Sequence, residues 1–361
     1  MYINNVKIES ISQVHIGNGN FLQYGNDFIV EGKDEDAIIH VLSLNKLKKI
    51  LNDDHAIINQ WTEAILNNNS ELFLQKILKC IPPKDYSLRN IDSFVNFQYA
   101  NSTLKECMHD GMGRPYIPGS SIKGAIRTVL MAVFAKDLLN IKDTINTKEQ
   151  SIIIRNIEKK IFGNKPENDI MRFMHTGDAY FEKGIEIAVK QVNINITQRK
   201  NLLDERKAQA VEVIPNGETS SFRLKIESPF FKSFNIKNHE ELFSIINQHT
   251  KKITEEELHF WASMTEFYGH NNYVNSIRFI LDKINECDKN ECVLRLGQAS
   301  GWRYVTGSWL ESLDSNFFKR NIVPLCRPKN KEKYSNYPFP KSRRIDDESY
   351  LFGFVKLTLD N

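Results

Sequence analysis

The chain of 361 residues has no apolar run approaching the roughly 18 residues a membrane span needs. Membrane passage by a hydrophobic helix is therefore not expected. It has only five cysteines, Cys80, Cys107, Cys287, Cys292 and Cys326, an odd and scattered set. Cys287 and Cys292 have no matching second pair, so neither a disulfide framework nor a zinc ribbon is expected. Nor is there an excess of charge: 48 Lys and Arg stand against 45 Asp and Glu, a net +3. A protein this balanced does not announce nucleic acid through its total charge, so any such site must come from local clustering. Met1-Tyr2-Ile3-Asn4-Asn5 carries no basic-then-apolar signal, and with free thiols this gives the expectation of a cytoplasmic protein. No set of His, Cys and carboxylate residues has metal-ligand spacing, and no nucleotide-binding loop is present. Neither metal nor cofactor is expected.

What is present is an ordinary globular composition, 41% hydrophobic and 26% charged, long enough for two domains. The most informative stretch runs from Gly113 to Arg127. Up to Ser121 it has turn chemistry, and from Ile122 the apolar residues Ile122, Ala125, Ile126, Val129, Val133 and Phe134 recur with helical spacing. Ser120 or Ser121 is the expected N-cap. A Gly-Ser-Ser turn entering a helix offers free N–H groups at a positive dipole end, which suits an anion. Lys123 and Arg127, four apart, add charge there. The alternative is a Pro-Gly turn that merely caps a core helix.

Elsewhere, residues 6–16 alternate as a strand that Gly17-Asn18-Gly19 ends in a turn, and 28–31 form a second short strand. Residues 42–80 read as helices, 82–110 as a polar loop, and about 147–161 as another helix. Residues 171–180 form a strand with a polar bend, in which Asp178 is expected to cap or orient a turn rather than act with His175 as acid and base. Residues 185–197 alternate again, 198–209 read as an exposed charged loop or short helix, and 211–226 read as a hairpin around Pro215-Asn216-Gly217. From 238 the pattern is helical for nearly 50 residues, with Thr254-Glu255-Glu256-Glu257 as a capping box and a last helix from about Val274 to Cys287. Leu294-Arg295-Leu296-Gly297-Gln298-Ala299-Ser300-Gly301-Trp302-Arg303 reads as a strand entering a glycine-spaced turn whose N–H groups form an anion nest. Residues 317–344 are basic, with Tyr334, Tyr337 and Phe339 interleaved, the composition that single-stranded RNA binding asks for.

Pro118-Gly119-Ser120-Ser121-Ile122-Lys123-Gly124-Ala125-Ile126-Arg127 resembles the signature of the RAMP superfamily, the ferredoxin-like RNA-binding subunits of CRISPR–Cas systems. The strand ending in His15-Ile16-Gly17, the 211–219 turn and the late glycine loop resemble further family segments. Ala299 departs from the family's third glycine, and His175-Thr176-Gly177 from its usual branched residues. Pro340-Lys341-Ser342-Arg343-Arg344 leading to Gly353–Leu357 resembles the end of the subunits that cap the guide RNA's 3′ end in type III-A (Csm) effector complexes.

The resemblance implies an α+β protein of two ferredoxin-like (RRM-like) halves. The first covers 1–228 with a helical insertion at 42–110, and the second covers 229–361 with the glycine-rich loop. Strand–helix–strand–strand order from 6 to 197 agrees with this independently. The implied function is non-catalytic: binding guide RNA, capping its 3′ side, and assisting guide maturation and assembly in antiviral defence. Implied partners are guide RNA, neighbouring backbone and small subunits, and host trimming nucleases. The implied RNA-binding residues are His15, Gly17, Gly119, Ser120, Ser121, Lys123, Arg127, Arg295, Gly297, Ser300, Gly301, Arg303, Lys341, Arg343 and Arg344. The Pro118–Arg127 turn and the 297–303 loop are expected to converge. Two alternatives remain open. One is another subunit of the same complex, for which Asp27 is a poor match to the filament subunit's cutting aspartate. The other is a metal-free endoribonuclease of the same superfamily using His15 or His175.

Overall fold

The computed structural model describes residues 2–360 except 34–35, 53, 68, 98–101, 136–149, 196–202, 264–269, 306–307, 309–315, 317, 327–339 and 341. Two large sheets organise these residues, with a short ladder of β7 (Tyr116–Ile117) and β9 (Ala179–Tyr180) beside them. The first has five antiparallel strands in the order β13 (Glu291–Arg295), β15 (Phe354–Leu359), β1 (Tyr2–Ser10), β12 (Thr219–Ile226) and β8 (Met174–Thr176). It draws strands from both ends of the chain, because alternating Val6 and Ile8 on β1 bury against helices that follow much later. Two of those helices, α5 (Gly119–Phe134) and α8 (His239–Ala262), pack on each other and share that core.

The second sheet runs β2 (Gly17–Gln23), β6 (Thr103–Cys107), β11 (Leu203–Val213), β10 (Ile187–Asn195), β5 (Ser87–Ser93), β4 (Ile38–Leu42), β3 (Phe28–Glu31), with β14 (Ser342–Asp346) also paired to β10. Leu47, Leu74 and Leu78 of helices α1 (Leu44–Leu51) and α3 (Ser70–Leu78) bury against Ile29 and Leu42. Between these helices runs α2 (His55–Leu66), and the short α4 (Pro83–Tyr86) follows them. The helical reading of 42–80 therefore holds. The polar stretch 82–110 is not a loop. It contains β5, with every second residue buried, and β6.

Gly17-Asn18-Gly19 does not end a strand either. It opens β2 and pairs with β6 at Gly17–Cys107. The charged run after 198 likewise enters β11, where Arg206 pairs with Asp204 at 2.8 Å.

The expected 211–226 hairpin is absent for a topological reason. Strand β11 belongs to the second sheet and β12 to the first, so Pro215-Asn216-Gly217 hands the chain from one sheet to the other. The segment after β1 makes the same passage beside it. Val14 and Ile214 exchange backbone hydrogen bonds of 2.9 Å, and Gly217 N donates to Ser10 O at 2.7 Å. Local turn chemistry is identical in a hairpin and in a sheet crossing; only the strand partners differ.

Helix α6 (Gln150–Phe162) and the short α7 (Ser228–Phe234) come next in chain order before α8. Thr254 does not start a helix. It lies inside α8, its hydroxyl donating to Thr250 O at 2.8 Å, while Asn238 caps the true start by accepting from Glu241 N at 3.0 Å. Buried Leu242, Phe243, Ile246 and Trp261 keep one apolar face running through the presumed boundary. The following helix, α9 (His270–Asn285), begins four residues before the expected Val274. The last helix is the short α10 (Val323–Cys326).

Helix α5 starts at Gly119, directly after Pro118, so neither Ser120 nor Ser121 is its N-cap. A Cβ on Gly119 would stand 2.1 Å from Thr176 O, inside hard contact. Gly119→Ala is thus expected to push α5 off β8 and cost about 2–4 kcal/mol, read as a lower midpoint in urea unfolding. A midpoint within error of wild type would show that the helix start is not held against β8.

Candidate nucleic-acid interface

The start of α5 is already occupied by an anion from the protein itself. Asp178 Oδ1 accepts from Gly119 N at 2.8 Å, and Thr176 Oγ1 donates to Gly119 O at 2.7 Å. Asp178 thus orients the turn, as expected from sequence, and Gly119 has no N–H left for a ligand. Beyond it lies an open depression of about 410 Å³ lined by Ser120, Lys123, Gly124, Arg127, Asp169 and Arg172. Lys123 is partly sunk into it, and burial lowers its ammonium pKa against the pull of Asp169.

Arg127 does not stand free on the surface. Its guanidinium reaches Glu158 on α6 at 2.9 Å and Asp169 at 3.1 Å, and lies 3.9 Å from the Phe162 ring centroid. The residue fastens α6 to α5.

The glycine loop is equally turned inward at its first half. Gly297 has φ +83°, and a Cβ there would meet His15 O at 2.7 Å. Gln298 N donates to that same oxygen at 3.0 Å. This glycine is required for approach to the protein's own backbone. Ala299 holds φ +72° and Ser300 is buried. Gly301, by contrast, is exposed with φ +80° and open space where its Cβ would be.

The arginines beneath the loop form its floor. Arg295 donates to Phe352 O at 2.9 Å and to Ala299 O at 3.3 Å, and lies beside the rings of Tyr304 and Phe354. Arg303 pairs with Glu256 at 3.2 Å, and Arg343 with Glu257 at 2.6 Å. Glu257 also accepts from Trp261 and Tyr273. Burial pushes the Glu257 carboxyl up, but Arg343 more than offsets it and holds the group at about 2.

His15 is corrected from a surface contact to a core residue. Its ring is fully buried, Nδ1 lies 2.6 Å from Glu212 O, and the Cys107 thiol is 3.6 Å away. Burial lowers its pKa to about 4, against the Glu212 hydrogen bond and aided by the charge of Lys105. The corresponding corrections apply to Gly119, Arg295 and Arg343, whose polar groups are spent inside the fold. His175 is exposed, with Glu227 at 3.3 Å as its partner. Lys341 and residues 327–339 of the basic segment lie outside the described residues.

The fold brings forward residues that the sequence reading passed over. Lys105 on β6 donates to Gln298 of the glycine loop at 2.6 Å and sits 5.5 Å from the half-exposed Phe21 ring on β2. Burial and then the charge of Arg344 lower the Lys105 pKa. Arg344 itself is exposed on β14. Gly17, Phe21, Lys105, Gly301 and Arg344 thus flank one edge of the loop. Neither β2 nor β6 alternates in burial, so no period-2 signal marked these residues in the sequence.

Helix α5 packs against the turn Trp302–Tyr304, and Trp302 joins the core containing Ile122 and Ile126. The end of the glycine loop therefore meets the buried side of α5.

His109, Glu186 and Glu212, distant in sequence, place one ligand atom each within 4.8 Å of one another.

The family model of the RAMP superfamily matches residues 7–304. A curated relative, the CRISPR system Cms protein Csm5 of Methanocaldococcus jannaschii, is 29% identical over 395 residues, spanning 98% of this chain and 88% of the relative. Among solved structures, a chain of a type III-A Csm-crRNA-target RNA ternary complex superposes with TM-score 0.73 at 19% identity, covering 99% of this chain and 100% of its own. The crystal structure of T.onnurineus Csm5 gives TM-score 0.65 at 18% identity, covering 97% and 99%. At these identities the structural likeness speaks for the fold.

Two outcomes follow from the internal roles. Because the folded pKa of His15 lies below the unfolded 6.5, the unfolded chain takes up a proton that the folded chain refuses between pH 6.5 and about 4. This contribution costs nothing above pH 6.5 and grows to roughly 3 kcal/mol of lost stability as pH falls to 4. Urea midpoints at pH 7 and pH 5 are expected to show a smaller drop for His15→Gln than for wild type; equal drops would refute the buried, neutral His15. Arg127→Ala is expected to lower the melting temperature by an amount worth about 1 kcal/mol, its ion pairs being partly screened, whereas Lys123→Ala leaves it unchanged.

Proposed function

The chain belongs to the RAMP superfamily, and from that membership we propose that it is the fifth, guide-3′-end subunit of a type III-A (Csm) CRISPR–Cas effector complex. The observation that carries this reading is the end-to-end likeness to an archaeal Csm5, which extends past the family model through the C-terminal strands. In this role the protein is a non-catalytic RNA-binding subunit. Its partners are guide RNA, the neighbouring backbone and small subunits, and host trimming nucleases that shorten the guide. It caps the guide's 3′ side and assists maturation and assembly. No helix among the described residues is long and apolar enough to cross a membrane. Work within a ribonucleoprotein fits the expected cytoplasmic location.

The two-half architecture belongs to the same reading. The order β15-β1-β12-β8, all antiparallel, with α5 and α8 as the crossing helices, supports one ferredoxin-like half. Residues 1–228 supply β1, α5, β8 and β12, and the second segment, 229–361, supplies α8 and β15. The second sheet is the elaborated other half.

The RNA path runs along the exposed side of the glycine loop. Gly301 lets a backbone approach, Lys105 and Arg344 neutralise phosphates, and Phe21 offers a face for a base. Ser120 and Lys123 form a second basic contact at the α5 depression. Gly297 and Ser300 shape the loop from within.

An endoribonuclease reading gains no support from His15, whose buried neutral ring reaches no substrate. His175 is exposed and shares Glu227 with Lys225, an arrangement that occupies the carboxylate in an ion pair.

The purified protein is expected to bind repeat-derived RNA with an affinity that falls steeply with salt and varies little with sequence. Lys105→Ala with Arg344→Ala should weaken binding about tenfold and reduce the salt slope by about two. A salt-independent or strongly base-specific isotherm, or an unaffected double variant, would sink this interface. Cleavage of the repeat RNA without metal would instead favour the nuclease.

A further inference from the structure

We propose that His109, Glu186 and Glu212 form a structural site for one divalent first-row metal ion, of the zinc or manganese class, at the junction of β6, β10 and β11. His109 follows β6, Glu186 immediately precedes β10, and Glu212 lies on β11, so one ion would tie the ends of three strands together. His109 also bridges to Pro115, the residue from which the chain runs into α5.

Four observations carry the assignment. First, the three side chains are enclosed: His109 is 10% exposed, and Glu186 and Glu212 not at all. Second, the imidazole is oriented for ligation. Nδ1 donates to Cys107 O at 3.0 Å, which turns Nε2 toward Glu186 Oε1, 2.5 Å away, and Glu212 Oε1, 3.7 Å away. A backbone carbonyl on the distal nitrogen is the usual outer partner of a metal-bound histidine.

Third, Glu186 is incompletely satisfied. Its Oε2 is buried with no hydrogen-bond partner among the described residues, although a buried carboxylate normally fills both oxygens. A metal bound through one or both Glu186 oxygens resolves this. Fourth, the charges do not balance. Glu106, Glu186 and Glu212 face a single guanidinium, that of Arg89, which is shared between Glu106 and Glu212. A metal-bound imidazole is neutral, and beside such a ligand two negative charges remain, the complement of a divalent cation.

One nitrogen and two carboxylates select a borderline ion over calcium or magnesium, which prefer all-oxygen shells. Ligand bonds of about 2.0–2.2 Å at a tetrahedral angle set two donor atoms about 3.4 Å apart, so the 2.5 Å contact opens by about 0.9 Å when the ion enters. The alternative is a proton: an imidazolium paired with Glu186.

The test uses the full-length wild-type protein with zinc, manganese and cobalt as probes, and needs no RNA, so its failure is independent of the RNA-binding reading. After equilibration with zinc and desalting, about one equivalent per chain is expected by mass spectrometry. Chelation should lower the melting temperature, and zinc should restore it. Cobalt in place of zinc should give weak visible bands without thiolate charge transfer, since no cysteine ligates. Glu186→Gln is expected to abolish uptake while melting no lower than metal-free wild type. The proposal is overturned if wild type retains neither zinc nor manganese, if Glu186→Gln retains either, or if cobalt reports sulfur ligation through Cys80 or Cys287.

Discussion

The buried carboxylate of Glu212 is the point on which the rest of the structure turns. It lies on β11, fully out of water, and is held by groups from β5, β6 and the turn after β6. Arg89 of β5 reaches it at 3.1 Å, Cys107 N of β6 donates to it at 2.7 Å, and His109 approaches it at 3.7 Å. Its own backbone oxygen lies 2.6 Å from the ring of His15, on the segment that leaves β1. Burial pushes this carboxyl up, and Arg89 and His109 pull it back. Removing a charge from water costs several kcal/mol unless it is fully partnered, so these partners cannot drift independently. The place where the chain crosses between sheets is therefore pinned by electrostatics as well as by strand pairing.

The same demand explains where the arginines went. From sequence, Arg127, Arg295, Arg303 and Arg343 look like phosphate ligands, since each borders a glycine turn, a helix start or a basic run. In the fold each is claimed by carboxylates, carbonyls or rings of its own chain. A guanidinium with a fixed fork of donors is well suited to fastening elements together, and the loops need fastening before they can present anything. What remains for a polyanion is a smaller set, Lys105 and Arg344 beside Gly301 and Gly17, with Lys123 across α5. Specific charges on a rigid floor serve backbone binding better than a diffuse basic surface, which net charge +3 does not supply.

Much of the architecture could be read from the residues. The helices of 42–80, the α5 face from Ile122 to Val129, and strands β1, β10 and β15 follow periodicities that reflect burial on one side, and burial is what selects those residues. The errors cluster where a local signal has two tertiary meanings. Pro215-Asn216-Gly217 makes the same tight turn whether the next strand rejoins its neighbour or enters another sheet. Thr254-Glu255-Glu256-Glu257 satisfies a capping pattern, yet the helix runs through it because Trp261 continues the apolar face begun by Leu242 and Phe243.

By itself the sequence determined the α+β class, the helix that follows Pro118, the glycine turn after β13 and Asp178 as a turn-orienting carboxylate. Each of these depends on contacts within a few residues or on one face's period. Tertiary structure alone decided that His15 is a core histidine, that four candidate arginines are internal ties, that Lys105 and Phe21 stand beside the glycine loop, and that His109, Glu186 and Glu212 meet. These outcomes rest on pairings between residues tens to hundreds of positions apart. Such pairings are set by the competition of whole sheets and helices for burial, and no local stretch encodes its distant partner.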